Sequence, residues 1–162
     1  QDSPDRPTVA DQLDLALANE IADIPYMIGF TANDMNDATQ SVKDFCTLRA
    51  EKSSKPVYAY LFARPLPGDE NGAFHSSDLW YVFHSFRHSW RPFTKGDQDL
   101  SMKIVGFWTN FAKYGDPNGK GPALWTPYTL DKPEFMILDV DVDESKCYMS
   151  ATPEFKGPSP RK

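Results

Sequence analysis

The sequence contains little cysteine, with only Cys46 and Cys147 among its 162 residues. Two cysteines are too few for a disulfide scaffold or a zinc cage, and their number leaves two buried thiols and one long-range bridge both open. The sequence also lacks any apolar run close to the roughly 20 residues that span a bilayer. These absences exclude a small disulfide-stapled protein and predict a soluble chain without a membrane span.

Basic residues are in the minority and form no stripe along the sequence. The chain has 17 Lys and Arg against 23 Asp and Glu, which gives a formal net charge of -6. A surface of this sign repels a phosphate backbone. We therefore expect no nucleic-acid partner.

Hydrophobic residues make up 40% of the chain, and its length is sufficient for one globular domain. The 14 prolines indicate many turns. We expect a flexible lead over residues 1–8, a folded segment over 9–150 and a flexible tail over 151–162. The first eight residues have no basic region followed by an apolar stretch, so no signal peptide is expected within these 162 residues.

Two nearly continuous apolar runs, at residues 24–31 and 57–63, predict strands that are buried on both faces of a sheet. Between them, residues 37–51 have the periodicity of an amphipathic helix. Strand, helix and strand together form a βαβ unit, whose strands run parallel with a right-handed crossover. The fold class predicted is α/β, with a mainly parallel sheet covered by helices. The other elements expected are helices over 9–21, 78–86 and 98–114 and a strand over 135–139.

Two side chains capable of acid–base chemistry follow the predicted parallel strands. Asp34 follows the strand at 24–31, and His75 lies in the long loop after the strand at 57–63. Neighbouring parallel strands end at the same edge, about 4.8 Å apart, so these side chains can meet in a hydrogen bond. Such a pair is the supporting half of a serine-hydrolase triad. The spacing alone also allows an ordinary exposed histidine.

Three ordered segments carry more information than this spacing. They are Ile24–Gly29 (IPYMIG), Gly72–Leu79 (GAFHSSDL) and Trp108–Asn118 (WTNFAKYGDPN). Together they resemble the type-B carboxylesterases, the cholinesterase-like branch of the α/β-hydrolases, over about residues 22–147. The resemblance implies that the chain is the C-terminal portion of an α/β-hydrolase fold. It also implies ester hydrolysis by acyl transfer, which needs no metal or organic cofactor.

The resemblance assigns roles by position. His75 corresponds to the catalytic base and Asp34 to the triad acid that orients it. The family often has glutamate followed directly by glycine at the acid site, whereas this chain has Asp34 and Met35, so Asp37 is kept as a weaker competing candidate for the acid. Asp78 and Ser76 correspond to residues that support the histidine loop. The interval between Asp34 and His75 is shorter than in the cholinesterases, so the family's substrate pocket is not transferred to this chain.

The nucleophile of the family is missing from these 162 residues. No Gly-x-Ser-x-Gly occurs, the nearest approach being Gly157–Arg161 (GPSPR), and no Gly-Gly pair is present to build an oxyanion hole. We therefore expect a C-terminal piece of a serine esterase, whose nucleophile and oxyanion donors lie on a longer or a separate polypeptide. The chain by itself is expected to be inactive.

The expected partner is the N-terminal portion of the parent esterase or a second copy of this chain. The alternative is a non-catalytic module that dimerises or binds a partner through an unpaired sheet edge. Cys46 and Cys147 roughly match a disulfide pair of the family, and we expect a bridge. A bridge implies an oxidising compartment, hence a secreted or periplasmic location, with a cytoplasmic one left open.

Two other patterns favour structural interpretations. His84 and His88 are four residues apart, as zinc ligands on a helix can be, but no third ligand is evident and exposed histidines are expected. Trp108 shares a helical stripe with Phe111 and Ile104, which predicts core burial rather than a sugar-binding platform.

Overall fold

The computed structural model describes residues 21–159. The lead predicted over residues 1–8, nearly all of the helix predicted over 9–21 and residues 160–162 lie outside the described residues. The elements, in chain order, are β1 (Tyr26–Thr31), α1 (Thr39–Lys52), β2 (Val57–Phe62), α2 (Leu79–Val82), a 3₁₀ turn (Phe86–His88), α3 (Lys95–Tyr114), β3 (Phe135–Asp141) and β4 (Glu144–Ser150).

The four strands form one sheet in the order β1, β2, β3, β4. β1 runs parallel to β2, with Tyr26 opposite Val57 and Thr31 opposite Phe62. β3 is parallel to β2 on its other side, and β4 returns antiparallel to β3. Because α1 connects β1 to β2, the predicted strand–helix–strand unit is present and the α/β class is confirmed.

Helices cover both faces of this sheet. On one face, the ring of Phe45 in α1 meets that of Tyr26 edge to face, with centroids 5.4 Å apart. On the other face, Trp108 of α3 meets Tyr60 at 5.1 Å, and Trp125 is fully buried beside them. Trp108 is half-buried and packs against the core, so the predicted burial of this stripe is complete at Ile104 and partial at Trp108. Burial of each large apolar side chain stabilises the fold by roughly 1.5–3 kcal/mol.

Two strands differ from the prediction. β1 is half-buried except at its last two residues, because within residues 21–159 it pairs with a strand on one side only. β4 was not predicted, since Glu144–Ser150 mixes charged and apolar residues and alternates exposed with half-buried positions. Its strand conformation depends on pairing with β3 along its whole length, which local sequence does not reveal.

Two helices also differ in extent. The helix predicted over 78–86 is the single turn of α2, and the chain then turns at His84, whose φ of 47° is incompatible with a continuing helix. α3 begins at Lys95, earlier than the predicted residue 98, because Thr94 and Asp97 form a reciprocal capping box at its start. α3 ends where predicted, at Gly115 in the left-handed conformation with φ 67°.

The expected disulfide is absent, and this prediction is wrong: Cys46 and Cys147 are both free thiols. Cys46 lies on α1, which packs on one face of the sheet. Cys147 lies opposite Leu138 in the β3–β4 pair, and its side chain points to the other face, towards Asp99 and Lys103 of α3. The sheet separates the two thiols. The secreted or periplasmic location therefore stays a prediction, and the disulfide no longer supports it.

Part of the stretch expected to be a flexible tail, residues 156–157, is hydrogen-bonded to the chain just after β1. The N–H of Lys156 donates to the carbonyl of Ala32 at 2.7 Å, and the Nδ2 of Asn33 donates to the carbonyl of Gly157 at 2.9 Å. The domain division as a whole stays a prediction. No helix within the described part of the chain is long and apolar enough to cross a membrane.

Candidate active site

Two loops meet at the carboxyl edge of β1 and β2. The acid loop, residues 32–38, follows β1, and the histidine loop, residues 63–78, follows β2. The hydrogen-bond ladder extends one residue beyond the strands, since Ala32 donates to Phe62 and Ala63 donates to Leu138, both at 2.9 Å. The two loops therefore leave the sheet side by side.

The side chains of Asp34 and His75 are in direct contact across these loops. The Nδ1 of His75 lies 3.2 Å from Oδ1 and 3.1 Å from Oδ2 of Asp34. The competing carboxylate, Asp37, instead accepts the N–H of Thr39 at 2.8 Å. The predicted contact is present and is made by Asp34, whereas the catalytic roles of the pair stay predictions.

The carboxylate of Asp34 is held from three directions. Besides His75, the N–H of Met35 donates to Oδ1 at 2.7 Å and the hydroxyl of Thr31 donates to Oδ2 at 3.3 Å. Burial acts to raise the pKa of Asp34, but the hydrogen bonds from His75 and Met35 outweigh it, and the pKa of Asp34 lies below its ordinary value. An ionised carboxylate only accepts, so in the neutral imidazole Nδ1 carries the proton and Nε2 is the free base. The His75 side chain is 73% exposed and so open to a reactant.

Asp78 and Ser76, the two expected supporting residues, both shape the turn after His75. Asp78 is half-buried at the start of α2, and the hydroxyl of Tyr60 donates to its Oδ2 at 3.5 Å. Burial raises the pKa of Asp78, although the hydrogen bond from Tyr60 acts against it. Ser76 has φ 64°, a left-handed conformation that costs a non-glycine residue roughly 1–2 kcal/mol. That these residues support catalysis stays a prediction.

A buried ion pair fixes the histidine loop to α3 at the end of β2. Arg64 donates from Nε and Nη2 to the two carboxylate oxygens of Asp97, at 2.7 and 3.1 Å. Tyr81 of α2 donates its hydroxyl to the same carboxylate at 2.7 Å, and Thr94 contributes its N–H at 2.7 Å. The Asp97 side chain is fully buried. This bidentate pair holds the beginning of the histidine loop, α2 and α3 in one arrangement.

A second arginine fixes the middle of the histidine loop. Arg91 donates to the carbonyl of Pro67 at 2.9 Å and pairs with Asp69 at 2.6 Å. Its guanidinium lies over the rings of Phe74 and Trp90, at 5.3 and 4.9 Å from their centroids. Because Phe74 directly precedes the histidine of the pair, this clamp restricts the backbone at that residue.

Reasoning from the sequence missed Arg64, Asp97, Arg91 and Asn33, which hold the loops of the site in place. A threonine followed three residues later by an acid is a recognisable helix start and could have identified Asp97 as a cap. The other three act through long-range contacts, for which the sequence contains no local signal.

The histidines considered for zinc have other surroundings. The Nδ1 of His84 lies 2.7 Å from the hydroxyl of Ser101, and His88 accepts a hydrogen bond from Arg87. Within residues 21–159 no group of three or more His, Cys, Asp or Glu could hold a metal ion.

Comparison with known proteins identifies the family of the chain. Residues 31–155 match the model of the carboxylesterase family. Bile salt-activated lipase from Homo sapiens is 32% identical over 114 residues, which are 66% of this chain and 15% of that lipase. Carboxylesterase 5A from Felis catus is 33% identical over 117 residues, 62% of this chain and 20% of that protein. The chain thus spans 15–20% of the length of these relatives.

Solved esterase structures share the fold. A thermophilic PNB esterase superimposes with a TM-score of 0.64 at 20% identity, over 85% of this chain and 38% of the esterase. An esterase from Clostridium hathewayi that hydrolyses aliphatic aromatic polyesters superimposes with a TM-score of 0.56 at 26% identity, over 68% of this chain and 22% of the esterase. The resemblance to type-B carboxylesterases is therefore confirmed, and the chain belongs to the carboxylesterase family.

Proposed function

We propose that this chain supplies the acid and the base of a serine-type carboxylic-ester hydrolase, with Asp34 as the acid and His75 as the base. The observation that carries the proposal is the 3.1 Å contact between the Nδ1 of His75 and the carboxylate of Asp34. Family membership and this retained contact favour a hydrolase over the non-catalytic module.

In the proposed reaction, the Nε2 of His75 takes the proton of a serine hydroxyl while the serine oxygen attacks the ester carbonyl carbon. Asp34 stabilises the resulting imidazolium of His75 by accepting the hydrogen bond from the Nδ1–H of the ring. The imidazolium then gives its proton to the leaving alkoxide, which departs as an alcohol. Water, activated in the same way, cleaves the acyl-serine and releases the carboxylic acid.

The nucleophile is proposed to come from polypeptide outside these 162 residues, which contain no Gly-x-Ser-x-Gly. The limited share of each relative that the chain spans supports this proposal. The 162 residues alone then hydrolyse esters no faster than free histidine-containing peptides do, because positioning and oxyanion stabilisation are missing.

The proposed partner is the portion of an esterase that carries the serine. The edge of β1 that faces away from β2 has no strand partner among residues 21–159, and residues 26–29 are only half-buried there. A strand added parallel to β1 on this edge satisfies its backbone groups and places its own carboxyl-end loop next to Asp34.

Complementation tests the proposal. The 162-residue chain is co-expressed with a polypeptide that carries the Gly-x-Ser-x-Gly portion of a carboxylesterase, and hydrolysis of a p-nitrophenyl ester is measured for each part and for the purified complex. We expect turnover from the purified complex and from neither part by itself. His75→Gln is expected to abolish this turnover to within background.

His88→Gln is the matched control, because His88 is an exposed histidine of the same chain whose ring accepts a hydrogen bond from Arg87 and not from the acid loop. Its complex should retain full turnover. Equal activity of the His75→Gln and wild-type complexes would contradict the proposal, as would full turnover from the 162 residues alone.

A further inference from the structure

Asn33 joins the acid loop to the histidine loop through a reciprocal pair of hydrogen bonds. Its backbone N–H donates to the carbonyl of Ala73 at 2.9 Å. Its side-chain Oδ1 accepts the N–H of Ala73 at 2.8 Å. One residue thus satisfies both backbone groups of Ala73, and two bonds between the same pair of residues restrict rotation as well as separation.

The histidine loop is shaped to receive this carboxamide at Gly72. Gly72 has φ 69°, and a Cβ at this position would lie 2.6 Å from the Cγ of Asn33. Both the backbone conformation and the space therefore require glycine. The absent side chain at Gly72 is what allows the carboxamide of Asn33 to lie directly against the loop.

The third hydrogen bond of Asn33 connects the site to the end of the described chain. Its Nδ2 donates to the carbonyl of Gly157 at 2.9 Å, and the adjacent Lys156 donates to the carbonyl of Ala32 at 2.7 Å. Three separate stretches of the chain, the acid loop, the histidine loop and residues 156–157, therefore meet at this one side chain.

The position of Asn33 in the sequence makes this junction relevant to the candidate active site. Asn33 directly precedes Asp34, and Ala73 lies two residues before His75. A change in the distance between Asn33 and Ala73 therefore displaces the segments that carry the carboxylate and the imidazole relative to each other. We propose that Asn33 is a positioning residue for the Asp34–His75 pair, an inference whose catalytic consequence rests on the proposed function.

Two substitutions separate the contributions of its side chain. Asn33→Ala removes the acceptor for the N–H of Ala73 and the donor to Gly157. Asn33→Asp is nearly isosteric and retains the acceptor for the N–H of Ala73, but it loses the donor and therefore breaks only the hydrogen bond to Gly157. Asn71→Ala is the matched control, since Asn71 is an exposed asparagine of the same loop whose side chain donates to Asp69 and not to the acid loop within residues 21–159.

The test is the tautomer of the His75 imidazole, read from long-range ¹H–¹⁵N NMR spectra of the 162-residue chain above the pH at which the ring is charged. We expect wild type and Asn71→Ala to hold the proton on Nδ1. In Asn33→Ala the ratio of the Nδ1–H to the Nε2–H form is expected to fall roughly tenfold, because the hydrogen bond from the Nδ1–H of His75 to the charged carboxylate of Asp34 is lost when the two loops are no longer held together. Asn33→Asp is expected to show a smaller change.

The backbone ¹H–¹⁵N spectrum of each variant shows whether it is folded. If Asn33→Ala does not fold, the conservative variant Asn33→Asp is used instead. An Asn33→Asp chain that has lost the hydrogen bond to Gly157 but keeps the wild-type tautomer of His75 overturns the role of that third hydrogen bond. A folded Asn33→Ala with the wild-type tautomer overturns the whole inference and leaves the proposed function intact. A wild-type chain without the Nδ1–H tautomer contradicts the proposed function itself.

Discussion

The Nδ1 of His75 lies 3.1 Å from the Oδ2 of Asp34, although 41 residues separate the two in the chain. The parallel pairing of β1 and β2 produces this contact, because it ends both strands at one edge. The lowered pKa of Asp34 keeps its carboxylate ionised at neutral pH, and the ionised carboxylate fixes the proton of a neutral imidazole on Nδ1. The fold therefore leaves Nε2 of His75 as the base.

Asp34→Asn should reduce turnover of the complemented esterase by roughly 10⁴-fold, because an amide holds the imidazole in the wrong tautomer. The measurement is kcat for a p-nitrophenyl ester. Asp37→Asn is the control, since the carboxylate of Asp37 accepts the N–H of Thr39 instead of contacting His75. Equal losses from the two substitutions would contradict the assignment of Asp34.

Asp97→Asn should lower the free energy of unfolding at pH 7 by about 3–5 kcal/mol, because Arg64 loses the charge of its buried partner. Urea denaturation followed by tryptophan fluorescence measures this change. Asp131→Asn alters the net charge by the same amount at an exposed position and should have little effect. A loss below 1 kcal/mol from Asp97→Asn would show that the ion pair does not hold the loops together.

The same carboxyl group gives the fold a defined acid sensitivity. Burial acts to raise the pKa of Asp97, but hydrogen bonds from Arg64, Thr94 and Tyr81 outweigh it, so the pKa of Asp97 in the folded state lies below its ordinary value. Its stabilisation is therefore complete above the unfolded-state pKa of about 3.9 and is lost as the pH falls through the folded-state value. The stability gap between wild type and Asp97→Asn should shrink below about pH 4. A gap that stays constant down to pH 2 would contradict this linkage.

Both thiols should react slowly in the folded protein and completely after denaturation. Burial raises the pKa of Cys46 to about 12 and that of Cys147 to about 11, so neither carries an appreciable thiolate fraction at pH 7. Iodoacetamide labelling followed by mass spectrometry should add two groups in denaturant without prior reduction. If the denatured chain is labelled only after a reductant is added, Cys46 and Cys147 form a disulfide, and the free thiols of this fold are contradicted.

Gly29→Ala should destabilise the sheet by roughly 1–3 kcal/mol, the usual cost of overpacking. A Cβ at Gly29 would lie 2.5 Å from the carbonyl oxygen of Tyr60, which is opposite it in the β1–β2 pair. Gly106→Ala is the control, because a Cβ there meets nothing within 4 Å. Thermal unfolding of both variants tests whether the close approach of β1 to β2 is required.

A structural element was predictable from the sequence when it depends on residues close together in the chain, and it was not when it depends on contacts between distant residues. β1, β2 and α1 were predictable because their apolar patterns are local, and the Asp34–His75 contact followed from the parallel pairing that such a unit imposes. β4 was not predictable, because its strand conformation depends on pairing with β3. The disulfide prediction failed because Cys46 and Cys147 lie on opposite sides of the sheet, which their positions in the sequence do not show.

The loop contacts were equally out of reach from the sequence. Asn33 resembles any other loop asparagine until Gly72 and Ala73 are placed beside it. Arg64 and Asp97 are 33 residues apart and belong to different elements. The positions of Asp34 and His75 after the predicted strands, together with the family resemblance, thus identified the two residues proposed for catalysis, and only the fold identified the long-range contacts that hold their loops in position.

The most direct test of the account is the protonation site of the His75 ring in the 162-residue chain, compared between wild type and Asp34→Asn by long-range ¹H–¹⁵N spectroscopy. We predict a proton on Nδ1 in wild type and a shift of the population towards Nε2–H in Asp34→Asn. Spectra in which the substitution leaves the ring tautomer unchanged would show that Asp34 does not orient His75, and would contradict the account.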